Sequence, residues 1–146
     1  MSPQQIAEGL GIKFEKQPAG YLNLCVRTGN LLITSGHVSD IKGKLGAGVT
    51  VEQGQAAARE CAFKILRSVW DAHGTLNGLR VLKVLGCVNS TLDFIEQHLV
   101  INGTSDVFHQ VFGKETNGFH ARSALGFAAL PVGAAVEVEA IFEIVE

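Results

Sequence analysis

The side chains best suited to binding an anion lie in the C-terminal third of this 146-residue chain. Arg122 stands in Phe119-His120-Ala121-Arg122-Ser123-Ala124, at the start of a predicted strand. Its guanidinium stays charged and offers a planar array of N–H donors that fits a carboxylate or a phosphate. Spacing alone favours a surface salt bridge for Arg122, so an anion site is one of two hypotheses at this stage.

Carboxylates follow on the last predicted strand, where Glu137, Glu139 and Glu143 share one face. Two carboxylates on one face can perform acid–base chemistry if the surroundings are dry enough to raise one pKa. A row of this kind is more often the solvated face of an outer strand. The pattern therefore leaves both interpretations open.

The five histidines form no H-x-H or H-x-x-x-H pair, which argues against a metal site. His37 follows Ser35-Gly36 at the end of a predicted strand, where binding residues are common. His120 lies two residues before Arg122, so both side chains point the same way in an extended chain. Either histidine could donate to a bound anion, or it could have a structural role.

The three cysteines, Cys25, Cys61 and Cys87, are odd in number and form no C-x-x-C motif. This argues against a disulfide framework or a zinc site and favours reduced thiols, with one reactive thiolate as the alternative. We expect a cytoplasmic protein, because the N-terminus resembles no signal peptide and no apolar run is long enough for a membrane span.

Composition narrows the class of protein further. Apolar residues make up 47% of the chain, which is too many for a disordered protein. The length fits a single domain, residues 1–146, with residues 1–18 as an N-terminal extension. A net charge of −2 with one Tyr and one Trp argues against a nucleic-acid partner, since phosphate attraction and base stacking would both be weak.

The hydrophobic pattern predicts the order ββαβαββ behind a short N-terminal helix that we expect to lie outside the core. The Gly-rich segment 42–48 lacks the ending of a phosphate-binding loop and is interpreted as a mobile connector. Hairpins at both ends indicate an α+β domain with one mixed sheet and two helices on one face. The uncovered face is half apolar, which favours a homo-oligomer. The predicted elements are a helix from Pro3 to about Gly9, strands 22–28 and 31–35, a helix 50–74, a strand 79–89, a helix 104–112, and strands 122–130 and 135–145.

Three segments resemble one known family: Gly29-Asn30-Leu31-Leu32-Ile33-Thr34-Ser35-Gly36, Ala121-Arg122-Ser123-Ala124, and Val136-Glu137-Val138-Glu139-Ala140-Ile141. The chain is identified by them as a member of the Rid family of reactive-intermediate deaminases. This family is also called the YjgF/YER057c/UK114 or endoribonuclease L-PSP family. The resemblance covers roughly residues 20–146. Gly126, at a position where the archetype carries a glutamate, is one of the departures that indicate a divergent subgroup.

The resemblance implies a chorismate-mutase-like ββαβαββ fold and a homotrimer whose sheets form a central barrel, with three clefts between subunits. It also implies that 2-imino acids are hydrolysed to 2-keto acids and ammonia without a metal or cofactor. Arg122 would bind the substrate carboxylate, and Glu137 would position or activate the attacking water. Other residues of the implied cleft are Asn102, Ser35, Gly36, His37, Ala124 and Tyr21.

Two other functions remain open at this stage. The same cleft could bind a small carboxylate metabolite without turnover. The family's older names suggest RNA cleavage or inhibition of translation. The net negative charge and the small number of aromatic residues argue against these functions.

Overall fold

The computed structural model describes residues 1–146 and has the predicted order of elements with three short strands added. The elements are α1 Pro3–Gly9, β1 Cys25–Thr28, β2 Leu31–Thr34, β3 His37–Val38, β4 Lys44–Leu45, β5 Gly48–Val49, α2 Val51–His73, β6 Leu79–Asn89, α3 Gln97–Phe112, β7 Ala121–Phe127 and β8 Val136–Ile144.

Capping side chains fix the starts of the first two helices. Ser2 and Gln5 form a reciprocal capping box at α1, and Thr50 and Gln53 form another at α2, as the sequence predicts. The prediction that α1 lies outside the core is wrong. Ala7 is fully buried and belongs to the same apolar core as the sheet.

The main sheet has the strand order β1-β2-β8-β6-β7, and β3 also pairs with β8. The pair β6–β7 is parallel, and the other pairs of this sheet are antiparallel. The predicted mixed sheet of an α+β domain is confirmed. Because β7 pairs with β6 alone, it forms one edge of the sheet.

The two faces of the sheet differ, as the alternation along β8 predicts. Val136, Val138 and Phe142 are buried toward α2 and α3, whereas Glu137 and Glu139 lie on the face that no helix covers. We call this second surface the open face. It carries apolar side chains that remain exposed, among them Val26, Ile33 and Leu125.

The start of α3 differs from the prediction, since the helix begins at Gln97 rather than at Thr104. The sequence Asn102-Gly103 is typical of a turn, but here it lies inside the helix. A Cβ atom on Gly103 would overlap the carbonyl oxygen of Gln55 and lie 2.9 Å from its carbonyl carbon. Gly103 therefore allows α3 to approach the backbone of α2 closely.

The Gly-rich segment 42–48 is a packed part of the fold rather than a free connector. Leu45 is fully buried, and its carbonyl oxygen accepts a hydrogen bond from the Thr91 amide at 3.0 Å. The Lys44 ammonium donates to Asn89 Oδ1 at 2.7 Å. No helix of the chain has the length and apolar character that crossing a bilayer would require.

Candidate functional site

Arg122 projects from the edge strand β7 toward α3, where two neutral oxygens hold one end of its guanidinium. Its Nη1 donates to Asn102 Oδ1 at 2.9 Å and to Ser105 Oγ at 3.0 Å. Asn102 and Ser105 are one helical turn apart and therefore share a face of α3. Arg122 and Asn102, both predicted for the site, therefore lie in direct contact.

The charge of Arg122 is not neutralised by a salt bridge. The three ion pairs of the chain are Lys16–Asp71, Lys64–Asp40 and Arg80–Glu143. Partial burial lowers the pKa of Arg122, and the nearby Asp106 carboxylate opposes this effect. A guanidinium nevertheless stays charged in a protein. The surface salt bridge that spacing alone favoured is therefore absent, and the Nε–Nη2 edge of the fork has no protein partner.

Glu137 lies on the open face, directly against Gly36. A Cβ atom at position 36 would overlap Glu137 Oε2 and lie 2.9 Å from its Cδ. Burial raises the pKa of Glu137, and repulsion from Glu139 raises it further. A carboxylate whose pKa is shifted toward neutrality is a better general base than an ordinary glutamate.

Strand register places Arg122 and Glu137 on opposite faces of the sheet. Arg122 is aligned with Val84 of β6, whereas Glu137 is aligned with Cys87 of the same strand. The two β6 positions are three residues apart, so they point to opposite faces. From standard strand spacings, the Cα atoms of Arg122 and Glu137 are roughly 14 Å apart. One copy of the chain therefore does not bring the two groups together.

The other residues predicted for the site fall into different environments. Ser35 follows β2, and its hydroxyl donates to the Asn23 carbonyl at 2.9 Å. Tyr21 is fully exposed and lies at an open cavity of about 880 Å³ formed by the segment 17–25 and α2. Ala124 lies two residues after Arg122 on the same face of β7 and packs against the core.

Hydrogen bonds within the fold engage both ring nitrogens of His37, as expected for the structural role that the sequence left open beside binding. Its Nδ1 donates to the Ser35 carbonyl at 2.7 Å, and its Nε2 accepts from Ser68 Oγ at 2.7 Å. The ring is buried, with 7% of the residue exposed, and faces α2 rather than Glu137. His37 has a structural role in this chain.

The cysteines offer no activated thiolate. Burial raises the pKa of Cys25 to about 11 and that of Cys61 to about 12. Cys87 is beside Glu137, and burial followed by the Glu137 and Glu139 charges raises its pKa to about 11. A raised thiol pKa keeps the group protonated and unreactive at neutral pH. The alternative of a reactive thiolate has no support in the structure.

Sequence reasoning did not single out three polar residues of α3 that lie close to Arg122: Ser105, Asp106 and His109. The reason is the misplaced start of α3, which left Asn102 outside the helix. The signal was available, because residues at positions i, i+3, i+4 and i+7 from Asn102 share one face of a helix.

The fold defines a class of small α+β proteins in which helices cover one face of a mixed sheet. Arg122 and Glu137 lie on two strands of that sheet, β7 and β8. The chain matches the family described as Endoribonuclease L-PSP over residues 14–144. It therefore belongs to this family, which includes the Rid and YjgF/YER057c/UK114 proteins.

Solved structures and one curated protein give more detail. Protein Atu1372 of Agrobacterium tumefaciens, described as having unknown function, is 38% identical, with a TM-score of 0.86 over 99% of this chain and 92% of its own. RidA of the Antarctic bacterium Psychrobacter sp. is 24% identical, with a TM-score of 0.59 over 88% of this chain and 93% of its own, and shows the fold alone.

Protein TCP17 of Trypanosoma cruzi is 50% identical over 103 residues, which are 70% of this chain. The match covers 64% of TCP17, so the chain spans less than two thirds of that protein.

Proposed function

We propose that the protein is an enamine/imine deaminase that hydrolyses 2-imino acids to 2-keto acids and ammonia. The observation that carries the proposal is the uncompensated guanidinium of Arg122, whose Nη1 is held by neutral oxygens. The free Nε and Nη2 donors form the parallel pair that a carboxylate binds with two hydrogen bonds. Membership of the Rid family makes a 2-imino acid the carboxylate to test first.

The reaction requires two proposed roles. Arg122 binds the substrate carboxylate and fixes the position of C2. Glu137 removes a proton from water while the water oxygen bonds to C2 of the protonated imine and the C=N π electrons move to nitrogen, which gives a neutral carbinolamine. Glu137 then returns this proton to the amine nitrogen, the C–N bond breaks to release ammonia, and the hydroxyl group loses its proton to solvent as the carbonyl of the 2-keto acid forms. The raised pKa of Glu137 suits both proton transfers.

A complete site needs a second copy of the chain, because Arg122 and Glu137 occupy opposite faces. We propose that Glu137 and Gly36 of one copy face Arg122 and Asn102 of a neighbour, in the homotrimer that the family resemblance implies. The exposed apolar side chains of the open face support this assembly. Val26, Ile33 and Leu125 are 46%, 37% and 50% exposed in the single chain, and contact with another copy would bury them.

The test is the decay of a 2-imino acid that an amino-acid oxidase generates in the assay mixture. We expect the protein to accelerate the release of 2-keto acid, and Arg122→Ala and Glu137→Gln to abolish the acceleration. Arg80→Ala and Glu143→Gln are matched controls, because they remove the same side-chain types from an ion pair elsewhere on the sheet. Equal rates of release with and without protein would contradict the proposal. Saturable carboxylate binding without turnover would instead identify a binding module.

A further inference from the structure

We propose that Ser105 and His120 are positioning residues that hold the Arg122 guanidinium with its Nε–Nη2 edge toward the carboxylate of the ligand. The identity of the ligand rests on the function proposed above. The orientation of Arg122 rests on the hydrogen bonds described next.

Three hydrogen bonds in series link Arg122 to the turn before β7, and a fourth joins it to Asn102 of α3. Arg122 Nη1 contacts Asn102 Oδ1 at 2.9 Å and Ser105 Oγ at 3.0 Å. Ser105 Oγ contacts His120 Nε2 at 2.9 Å, and His120 Nδ1 contacts the Gly118 carbonyl at 2.7 Å. The chain of contacts therefore ends on backbone, which fixes its position.

Donor and acceptor chemistry gives this chain of contacts one direction. The Gly118 carbonyl can only accept, so His120 Nδ1 carries a proton and donates to it. In a neutral imidazole the other nitrogen, Nε2, then has a lone pair and accepts from the Ser105 hydroxyl. Ser105 Oγ keeps its own lone pairs for the N–H of Arg122. Each contact thus has one donor and one acceptor, and Arg122 Nη1 has both of its protons engaged.

The consequence for Arg122 concerns geometry rather than charge. Both acceptors of Nη1, on Asn102 and Ser105, are neutral, so they orient the guanidinium without neutralising it. The five N–H donors of the guanidinium lie in one plane. Fixing Nη1 from two sides therefore fixes the direction in which Nε and Nη2 point. Loss of the Ser105 hydroxyl or of its acceptor would leave one anchor, and the fork could rotate away.

The surroundings of His120 favour its neutral form. The His109 ring lies 5.3 Å from its ring, centre to centre, and Phe108 packs edge-on against it. Burial lowers the pKa of His120, and the charges of His109 and Arg122 lower it further, against the bond to Gly118. Asp106 and Lys114 are the other charged groups near His109. A neutral His120 is the state that the directed hydrogen bonds require.

The first test is carboxylate binding, measured by NMR titration with pyruvate as a simple 2-keto acid. We expect Ser105→Ala and His120→Ala each to weaken binding by about tenfold, the size of one lost hydrogen bond to a charged group. His120→Gln should retain most of the affinity, because its amide can offer an acceptor to Ser105. Ser123→Ala is the matched control, since its hydroxyl accepts from Lys83 on the other face of the sheet.

A double variant separates positioning from general stability. Because Ser105 acts through Arg122, adding Ser105→Ala to Arg122→Ala should change pyruvate affinity no further. In ¹⁵N NMR at neutral pH, His120 should be the tautomer with the proton on Nδ1. Three results would each overturn the proposal. They are a further loss of pyruvate affinity when Ser105→Ala is added to Arg122→Ala, wild-type affinity in both Ser105→Ala and His120→Ala, and a proton on Nε2 of His120.

The same measurements separate this proposal from the deaminase proposal. If pyruvate binding follows the pattern above but no imino acid is hydrolysed, the positioning role stands and the deaminase proposal fails. If Arg122→Ala abolishes turnover while Ser105→Ala and His120→Ala behave as wild type, the deaminase proposal stands and the positioning role fails.

Discussion

A single methyl group at position 36 should displace the Glu137 carboxylate without disturbing the backbone. In Gly36→Ala the new Cβ would lie 2.9 Å from Glu137 Cδ, against about 3.5 Å for an ordinary carbon–carbon contact. The carboxyl carbon must therefore recede by roughly 0.6 Å, and the overlapped Oε2 must move by more than about 1 Å. Gly36 is not among the residues with positive φ, so alanine adopts this backbone conformation without strain.

The expected effect is large on catalysis and small on stability. Misplacement of a reacting group by about 1 Å can cost on the order of 10²-fold in rate, or about 2.7 kcal/mol. The displaced Glu137 side chain costs about 0.5–1.5 kcal/mol in rotamer strain, while replacing glycine contributes about 0.4–1 kcal/mol by restricting the unfolded chain. The free energy of unfolding should therefore change by less than about 1 kcal/mol.

The assay is imino-acid hydrolysis with kcat and KM measured separately, alongside urea denaturation and size-exclusion chromatography. A displaced base lowers kcat, whereas a methyl group that obstructs the substrate raises KM. Gly9→Ala is the control, because a Cβ atom there meets no neighbour within 4 Å. Wild-type kcat in Gly36→Ala, with fold and assembly intact, would refute the role given to Glu137.

Three further predictions follow from the same contacts. Arg122→Lys should raise KM about tenfold or more, because a lysine cannot form the bidentate carboxylate contact; steady-state kinetics with an unchanged KM would contradict the clamp. Gly103→Ala should lower the free energy of unfolding by about 1–3 kcal/mol, since α3 must move away from Gln55; urea denaturation measures this, with Gly9→Ala again as control. Burial holds the pKa of His37 below its ordinary value. Below about pH 6.5 the unfolded chain therefore binds more protons than the folded chain, and the free energy of unfolding should decrease as the pH falls through that range. Urea denaturation at several pH values should show a smaller fall in His37→Gln, and an equal fall would contradict the assignment.

Local sequence signals predicted most of the fold. Gly29-Asn30 predicted the hairpin whose last pair is Thr28 with Leu31. Thr50 and Gln53 predicted the start of α2, and the alternation along β8 predicted its two faces. Each of these signals acts between residues close in sequence, so a single sequence is enough to detect it.

Features that depend on distant parts of the chain were predicted wrongly, as at the start of α3, or were left open by the sequence. Gly103 serves the contact between α3 and Gln55, which nothing local to Gly103 indicates. The structural role of His37 depends on Ser68, 31 residues away. The family resemblance assigned Arg122 and Glu137 to one site. That the two side chains lie on opposite faces of the sheet is seen only from the register of β6 with β7 and with β8.

The central claim is that Arg122 of one copy and Glu137 of another complete the same site. It can be tested by mixing two inactive variants, Arg122→Ala and Glu137→Gln, unfolding them together and refolding them. With random assembly from an equal mixture, about a quarter of the sites would combine an intact Arg122 with an intact Glu137, and activity should return to about a quarter of the wild-type level. A mixture that stays as inactive as either variant, although mixed oligomers form, would contradict the account.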